Sequence, residues 1–161
     1  MCIMRYVVEA RVRLCALCCE IRKSLAPTPA LPAGIEVKHI HIEGPAPHLD
    51  APQRFHDTSY FVGANCRAAI GGAGNADYVP VFLSEIPLLF RRGVAKVDVA
   101  LVHVSVPDAH GFCSLGPSVD VTRAALQVAG SVVAQVNPQI PRVFGDGSVR
   151  GVVNVSCCAD T

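Results

Sequence analysis

The sequence predicts an α/β fold: an open, mostly parallel sheet with flanking helices. Three observations predict it. Hydrophobic residues make up 51% of 161 residues and charged residues only 17%, with a mean hydropathy of +0.39. A chain this apolar and long enough for one buried core fits strands covered on both faces, as in parallel sheets. Val97 to Val104 is almost purely apolar after Asp98, as a central strand should be. From Ser59 onward, strand-like and helix-like stretches alternate, which is the rhythm of βαβ units. The same composition excludes intrinsic disorder, which needs low hydrophobicity, and a coiled coil, which needs dense charge. A formal net charge of +1 gives no electrostatic basis for binding nucleic acid.

Met1 to Ala26 reads as a mixed, helix-like stretch without a clean apolar stripe. Ala26 to Gly34, with Pro27, Pro29 and Pro32, is a linker or turn. Ile35 to Ile42 is rich in β-branched residues and predicts a strand. Glu43 to Asp57 carries Pro45, Pro47 and Pro52 and reads as a long loop, a length that usually marks function or disorder. Ser59 to Val62 is a short strand. Asn65 can cap a short helix through Ile70, which Gly71, Gly72 and Gly74 end.

Tyr78 to Leu83 is the next strand. Ser84 is a good N-cap, Glu85 suits the positive end of a helix, and Pro87 is tolerated in its first turn. That helix runs to Phe90 or Arg92, and Gly93 stops it. After Val97 to Val104 comes the loop Ser105 to Ser118. Asp120 to Ala129 reads as a helix closed by Gly130, and Ser131 to Val136 as a buried strand. Val149, Val152, Val153 and Val155 make the tail strand-like.

The longest apolar run near the N-terminus, Leu14 to Cys19, is too short for a membrane span or a signal peptide core. Arg5, Arg11, Arg13, Arg22 and Lys23 weakly suggest a mitochondrial presequence, but Glu9 and Glu20 oppose it. The eight cysteines include the adjacent pairs Cys18-Cys19 and Cys157-Cys158. They read as reduced thiols of an intracellular protein, cytoplasmic or mitochondrial. Cys15-x-x-Cys18 offers half a zinc site, but Cys157-Cys158 lacks the spacer to complete it. His39 and His41 read as solvated or core-edge side chains, so no metal is expected.

In an open parallel sheet, ligands bind beyond the carboxyl ends of the strands. That selects Gly63 to Asn65, Ser84 to Glu85, Ser105 to Ser118 and Asn137 to Gly147. The third is the most informative, because a glycine-punctuated loop after the central strand can offer amides and hydroxyls to a ligand. Its simpler alternative is an Asx-turn at Asp108. Gly71-Gly72-Ala73-Gly74 follows a helix rather than opening one, so it reads as a helix stop and not a phosphate loop. Ser114 near His110 lacks a nucleophile elbow, and Cys113 reads as a buried, inert thiol.

Several runs together resemble the N-terminal domain of the acetyl-CoA hydrolase/transferase family. They are Phe61-Val62-Gly63-Ala64-Asn65, Ala76 to Pro87, Asp98 to Ser105, Pro107 to Gly116, Ala134-Gln135-Val136-Asn137, Pro141-Arg142 and Gly145-Asp146-Gly147. The resemblance is to 4-hydroxybutyrate CoA-transferase-like members and covers Ile35 to about Gly147. It implies that residues 1–34 are a non-family segment and linker, and that 148–161 are a divergent tail. It also implies a two-domain enzyme that passes CoA between a short acyl-CoA and a carboxylate acceptor through a glutamyl-CoA intermediate. CoA is then a substrate, and no bound cofactor is needed.

Ser84, Glu85, His110, Gly111, Ser114, Gly116, Gln135 and Asn137 are the expected substrate-binding residues. No catalytic residue is assigned. None of Glu9, Glu20, Glu36, Glu43 and Glu85 lies in a glycine-flanked loop of the kind that carries the family nucleophile, and that glutamate is expected in a second domain. Met1 to Ala33 shows neither the opening strand nor the glycine loop of the family. The chain therefore reads as a truncated product, inactive alone. The alternative is a non-catalytic interaction domain that associates with itself or with a full-length enzyme. Neither reading involves nucleic acid or a membrane.

Overall fold

The computed structural model describes residues 13–16, 33–42, 45–72, 74–150 and 155–157. The chain builds strands wherever β-branched and apolar residues run without a helical stripe. These are β1 (Arg13–Ala16), β2 (Ile35–His39), β3 (Phe55–Ser59), β4 (Ala76–Tyr78), β5 (Val99–Val104), β6 (Phe112–Ser114), β7 (Ser131–Val136), β8 (Ser148–Arg150) and β9 (Val155–Cys157). Between them lie α1 (Arg67–Gly71), α2 (Ile86–Arg91) and α3 (Thr122–Val128), with short 3-10 turns at Pro47–Asp50 and Leu83–Glu85.

Seven strands form one sheet in the order β4-β3-β2-β1-β5-β7-β9. Each neighbouring pair in it is parallel. A separate antiparallel pair joins β6 to β8. As expected, Val99–Val104 lies in the middle of the sheet, between β1 and β7. The alternation of β5 sends Ala100, Val102 and Val104 toward one face, where they pack with Ile86 and Phe90 of α2 and Ala124 and Ala125 of α3. Small residues at Ala124 and Ala125 let α3 approach the strands closely. The Phe90 ring meets Tyr60 edge-on at 5.9 Å, a favoured aromatic geometry. Burying a side chain of that size contributes about 3 kcal/mol.

Several expectations need correction. Residues 13–16 form a strand that pairs with both β2 and β5, so the expected lack of an opening strand in residues 1–33 does not hold. Sequence periodicity misses it because four residues, Arg13–Ala16, are too few to separate a strand period from a helical one. The remainder of 1–32, including Cys18, Cys19 and the proline linker, lies outside the described residues, as do Val152, Val153 and Cys158.

Residues 43–57 are not a long loop. They hold the Pro47–Asp50 turn and most of β3, and the strand expected at 59–62 begins four residues earlier. Polar residues (His56, Asp57, Thr58, Ser59) disguise it. Neither Asn65 nor Ser84 caps a helix through its side chain. Asn65 Nδ2 instead donates to the Ile42 carbonyl at 2.6 Å. Asp120 has a left-handed φ of +45°, which delays α3 to Thr122. Gly93, at φ +71°, follows α2 as expected. No helix among the described residues is long and apolar enough to cross a membrane.

Candidate functional site

Strand order reverses direction between β1 and β5: β2, β3 and β4 extend to one side, and β7 and β9 to the other. In open α/β sheets a crevice forms at such a point beyond the carboxyl ends. The loop that leaves β5 there is 105–116. It does not stay irregular, because β6 within it pairs with β8 in register Phe112↔Arg150, Cys113↔Val149 and Ser114↔Ser148.

The loops after β5 and β7 are tied together. The buried Ser114 Oγ donates to the Val143 carbonyl at 3.2 Å. It also accepts from the amides of Val143 at 3.0 Å and Gly116 at 3.1 Å. The Ser114 amide donates to Ser105 Oγ at 2.9 Å, and the Leu115 amide to the Gly147 carbonyl at 2.8 Å. Arg142 Nη2 donates to the Phe112 carbonyl at 2.7 Å and to the Val106 carbonyl at 3.3 Å. Its Nη1 faces Asp108 Oδ2 at 3.4 Å.

Asp108 makes the expected Asx-type turn, its Oδ1 accepting from the amides of Phe112 at 2.8 Å and His110 at 2.9 Å. The Phe112 amide is the largest reason the Asp108 carboxyl sits below its ordinary value; desolvation opposes it, and the His110 amide and Arg142 add to the lowering. Gly116 has φ +73°, and a Cβ there would lie 2.8 Å from Ile140 Cγ2. Only glycine fits that corner without strain.

The expected substrate-binding residues therefore divide. Ser114 and Gly116 are buried and spend their donors inside the loop tie. His110 and Gly111 are exposed at the tip. Gln135 and Asn137 are half-buried at the end of β7, and Asn137 Oδ1 accepts from the Gln139 amide at 2.8 Å. Ser84 and Glu85 are exposed in the turn before α2, and no hydrogen bond or ion pair links them to 105–116 among the described residues. Arg142 was not foreseen as an organiser, because its partners lie some thirty residues away (34 from Asp108, 30 from Phe112). An open pocket of ≈ 480 Å³ lies instead around Phe90, Lys96, Val97, Asp98 and Ser131. It sits at the amino ends of β5 and β7, opposite these loops.

A second cluster was also missed. Asp57 Oδ2 lies 2.8 Å from His39 Nε2 and 2.8 Å from His48 Nε2, and all three residues are buried. Cys66 Sγ approaches His39 Nε2 at 3.7 Å. Burial alone would raise the Asp57 carboxyl, but the hydrogen bonds and charge of His39 and His48 outweigh it and hold the carboxyl low. Burial, and then the Asp57 charge, push the Cys66 thiol up to about 12. His39 is therefore no solvated residue, whereas His41 beyond the strand end is exposed.

A parallel α/β domain with organised loops at its carboxyl switch point is the class that this architecture defines. Its family follows from sequence. Residues 42–155 match the Acetyl-CoA hydrolase/transferase N-terminal domain, so the chain belongs to that family.

The chain is 61% identical over 116 residues to "Succinyl-CoA:acetate/propanoyl-CoA:succinate CoA transferase" of Fasciola hepatica, covering 72% of this chain and 24% of that protein. It is 41% identical over 119 residues to 4-hydroxybutyrate coenzyme A transferase of Clostridium kluyveri, covering 73% of this chain and 28% of that protein. It thus spans about a quarter of the length of these relatives. RipA from Yersinia pestis shares the fold with TM-score 0.71 at 22% identity, over 92% of this chain and 39% of that one. 4-Hydroxybutyrate CoA-transferase from Porphyromonas gingivalis does so with TM-score 0.55 at 23% identity, over 93% and 37%.

Proposed function

We propose that this chain is the acyl-CoA-side portion of a CoA-transferase, which moves CoA between acetyl-CoA or another short acyl-CoA and a carboxylate acceptor. The observation that carries this reading is the cross-tied pair of loops at the switch point, 105–116 and 137–147, within the matched stretch. In the proposed reaction a glutamate carboxylate, supplied outside the residues assigned here, attacks the thioester carbonyl. A C–O bond forms, the C–S bond breaks, CoA leaves as thiolate, and an acyl-glutamyl anhydride results. The thiolate then attacks the glutamyl carbonyl. The acyl group leaves as a carboxylate and a glutamyl-CoA thioester remains, which the acceptor carboxylate resolves by the reverse steps. Covalent catalysis divides one difficult exchange into easier ones.

The part of this chain is to hold the acyl and acceptor groups. Ser114, Gly116 and Arg142 fix the loop shape, His110 and Gly111 stand at its tip, and Gln135 and Asn137 border it. A rigid wall is needed because water reaching the intermediate would turn transfer into hydrolysis. We place the protein inside the cell, cytoplasmic or mitochondrial, with CoA as substrate. The purified chain is expected to transfer no CoA from acetyl-CoA to a short carboxylate. Measurable transfer would contradict this and direct attention to Glu85.

A second reading, an interaction domain that associates with itself or a full-length enzyme, is favoured by Phe144 at 89% and Phe82 at 77% exposure. Large exposed apolar side chains favour association when they form a patch. A strictly monomeric chain in size-exclusion chromatography, with no binding to a full-length family enzyme, would remove it.

A further inference from the structure

We propose that His39, His48, Asp57 and Cys66 form a buried binding site for a divalent transition metal, with zinc the best fit to the donors. The site would tie residues 40–54 to the sheet. The four side chains come from four segments: the end of β2, the Pro47–Asp50 turn, the middle of β3, and the residue before α1. Three of them, His39, Asp57 and Cys66, converge, and His48 joins them through Asp57. The donor atoms of His39, Asp57 and Cys66 all lie within 4.8 Å of one another, and His48 Nε2 reaches the same Asp57 oxygen as His39.

The distances suit a tetrahedral ion. With Zn–N about 2.0 Å and Zn–S about 2.3 Å, ligating N and S atoms stand about 3.5 Å apart, against 3.7 Å for His39 Nε2 and Cys66 Sγ. Ligating N and O atoms stand about 3.3 Å apart, so each histidine must draw back from Asp57 by roughly half an ångström, and His48, which stands outside the convergent group of three, must also close on His39 and Cys66.

Charge argues the same way. Asp57 is fully buried, and its ion-pair partners among the described residues are His39 and His48 alone. A carboxylate and a thiolate carry two negative charges, which a divalent ion cancels, leaving a neutral cluster in a dry site. Hydrogen bonding alone leaves Asp57 Oδ1, His39 Nδ1 and His48 Nδ1 without a partner among the described residues. On binding, the Cys66 thiol releases its proton to solvent, each imidazole gives up the Nε2 proton it shares with Asp57 and keeps its remaining proton on Nδ1 so that the Nε2 lone pair is free to ligate, and no redox change occurs. Mixed thiolate and imidazole donors select zinc or cobalt over magnesium or calcium. Four protein ligands close the shell, so the role is structural.

The test uses the full chain, purified with zinc, and then exchanged with Co²⁺. One metal per chain is expected, with the visible bands of tetrahedral cobalt and a sulfur-to-cobalt charge-transfer band. Cys66→Ser and His48→Gln should each weaken binding at least about a hundredfold, while a Cys18→Ser/Cys19→Ser variant should retain it. If the Cys66 variant does not fold, the wild-type chain decides. Chelation should lower its Tm, and zinc but not magnesium should restore it. Absence of bound metal, a Tm indifferent to chelation, or a cobalt spectrum that survives Cys66→Ser would overturn the proposal.

Discussion

Arg142 spans the two loops at the carboxyl edge of the sheet and faces Asp108 across them, Nη1 to Oδ2 at 3.4 Å. The same guanidinium donates to the Phe112 carbonyl at 2.7 Å. One side chain thus joins the loop after β7 to both ends of the turn after β5. Removing it deletes the charge-assisted bonds between the loops, although the Phe112 carbonyl keeps the Asp108 amide at 2.9 Å. Arg142→Ala should therefore lower the unfolding free energy by about 1–2 kcal/mol, measured by denaturant titration. Arg142→Lys should recover only part, since an ammonium lacks the planar fork. Unchanged stability in the alanine variant would mean that the tie is incidental.

Asp108 gives the loop a pH dependence of definite sign. Its carboxyl is held below the ordinary 3.8, first by the Phe112 amide and then by the His110 amide and Arg142. A depressed acid stabilises the folded loop fully above its ordinary value and loses that contribution as pH falls through the lower folded value. The amide resonances of Phe112 and His110 should move together in an NMR titration below pH 3.8 and stay flat above about pH 5. Movement centred near neutral pH would point to another group.

Ser114 holds the loop from inside with three hydrogen bonds through one oxygen. Ser114→Ala leaves the Gly116 amide without its acceptor in a buried place and the Val143 amide without its acceptor in a part-buried one. The expected cost is about 1–3 kcal/mol, together with faster hydrogen exchange at those two amides. A variant with wild-type exchange rates would refute the role.

Phe90 tests the core. It is buried beneath Tyr60 and between α2 and the sheet. Phe90→Ala should cost about 3–5 kcal/mol, enough to unfold a marginal domain, and Phe90→Leu distinctly less. A small loss in the alanine variant would mean that α2 is not docked as described.

Much of this architecture is legible in the residues. Val99–Val104 and Ser131–Val136 announce strands because nothing charged interrupts them, although only Ala134 and Val136 of the second are buried, and the glycines after α1 and α2 mark their ends. β1 and β3 are not legible, for opposite reasons. β1 is a short apolar stretch with no period to separate strand from helix. β3 is written in polar letters, His56 to Ser59, of which the buried Asp57 depends on partners at His39 and His48 and Thr58 on Glu36. That cluster forms only when β2, β3, a 3-10 turn and α1 come together, so no local pattern can reveal it. The Asp108 turn was readable because its donors lie two and four residues away. Arg142 was not, because its partners lie across the fold.

The most direct test of the proposed function is a chimaera. Residues 42–155 of this chain would replace the matched segment of the Fasciola hepatica relative, and CoA transfer by the chimaera would be assayed. Transfer is expected to persist, and Ser114→Ala or Arg142→Ala within the graft should lower kcat by about a hundredfold through misplacement of the loop. A folded chimaera without transfer, or one whose rate ignores both substitutions, would contradict the claim that these loops form the acyl and acceptor side of a CoA-transferase site.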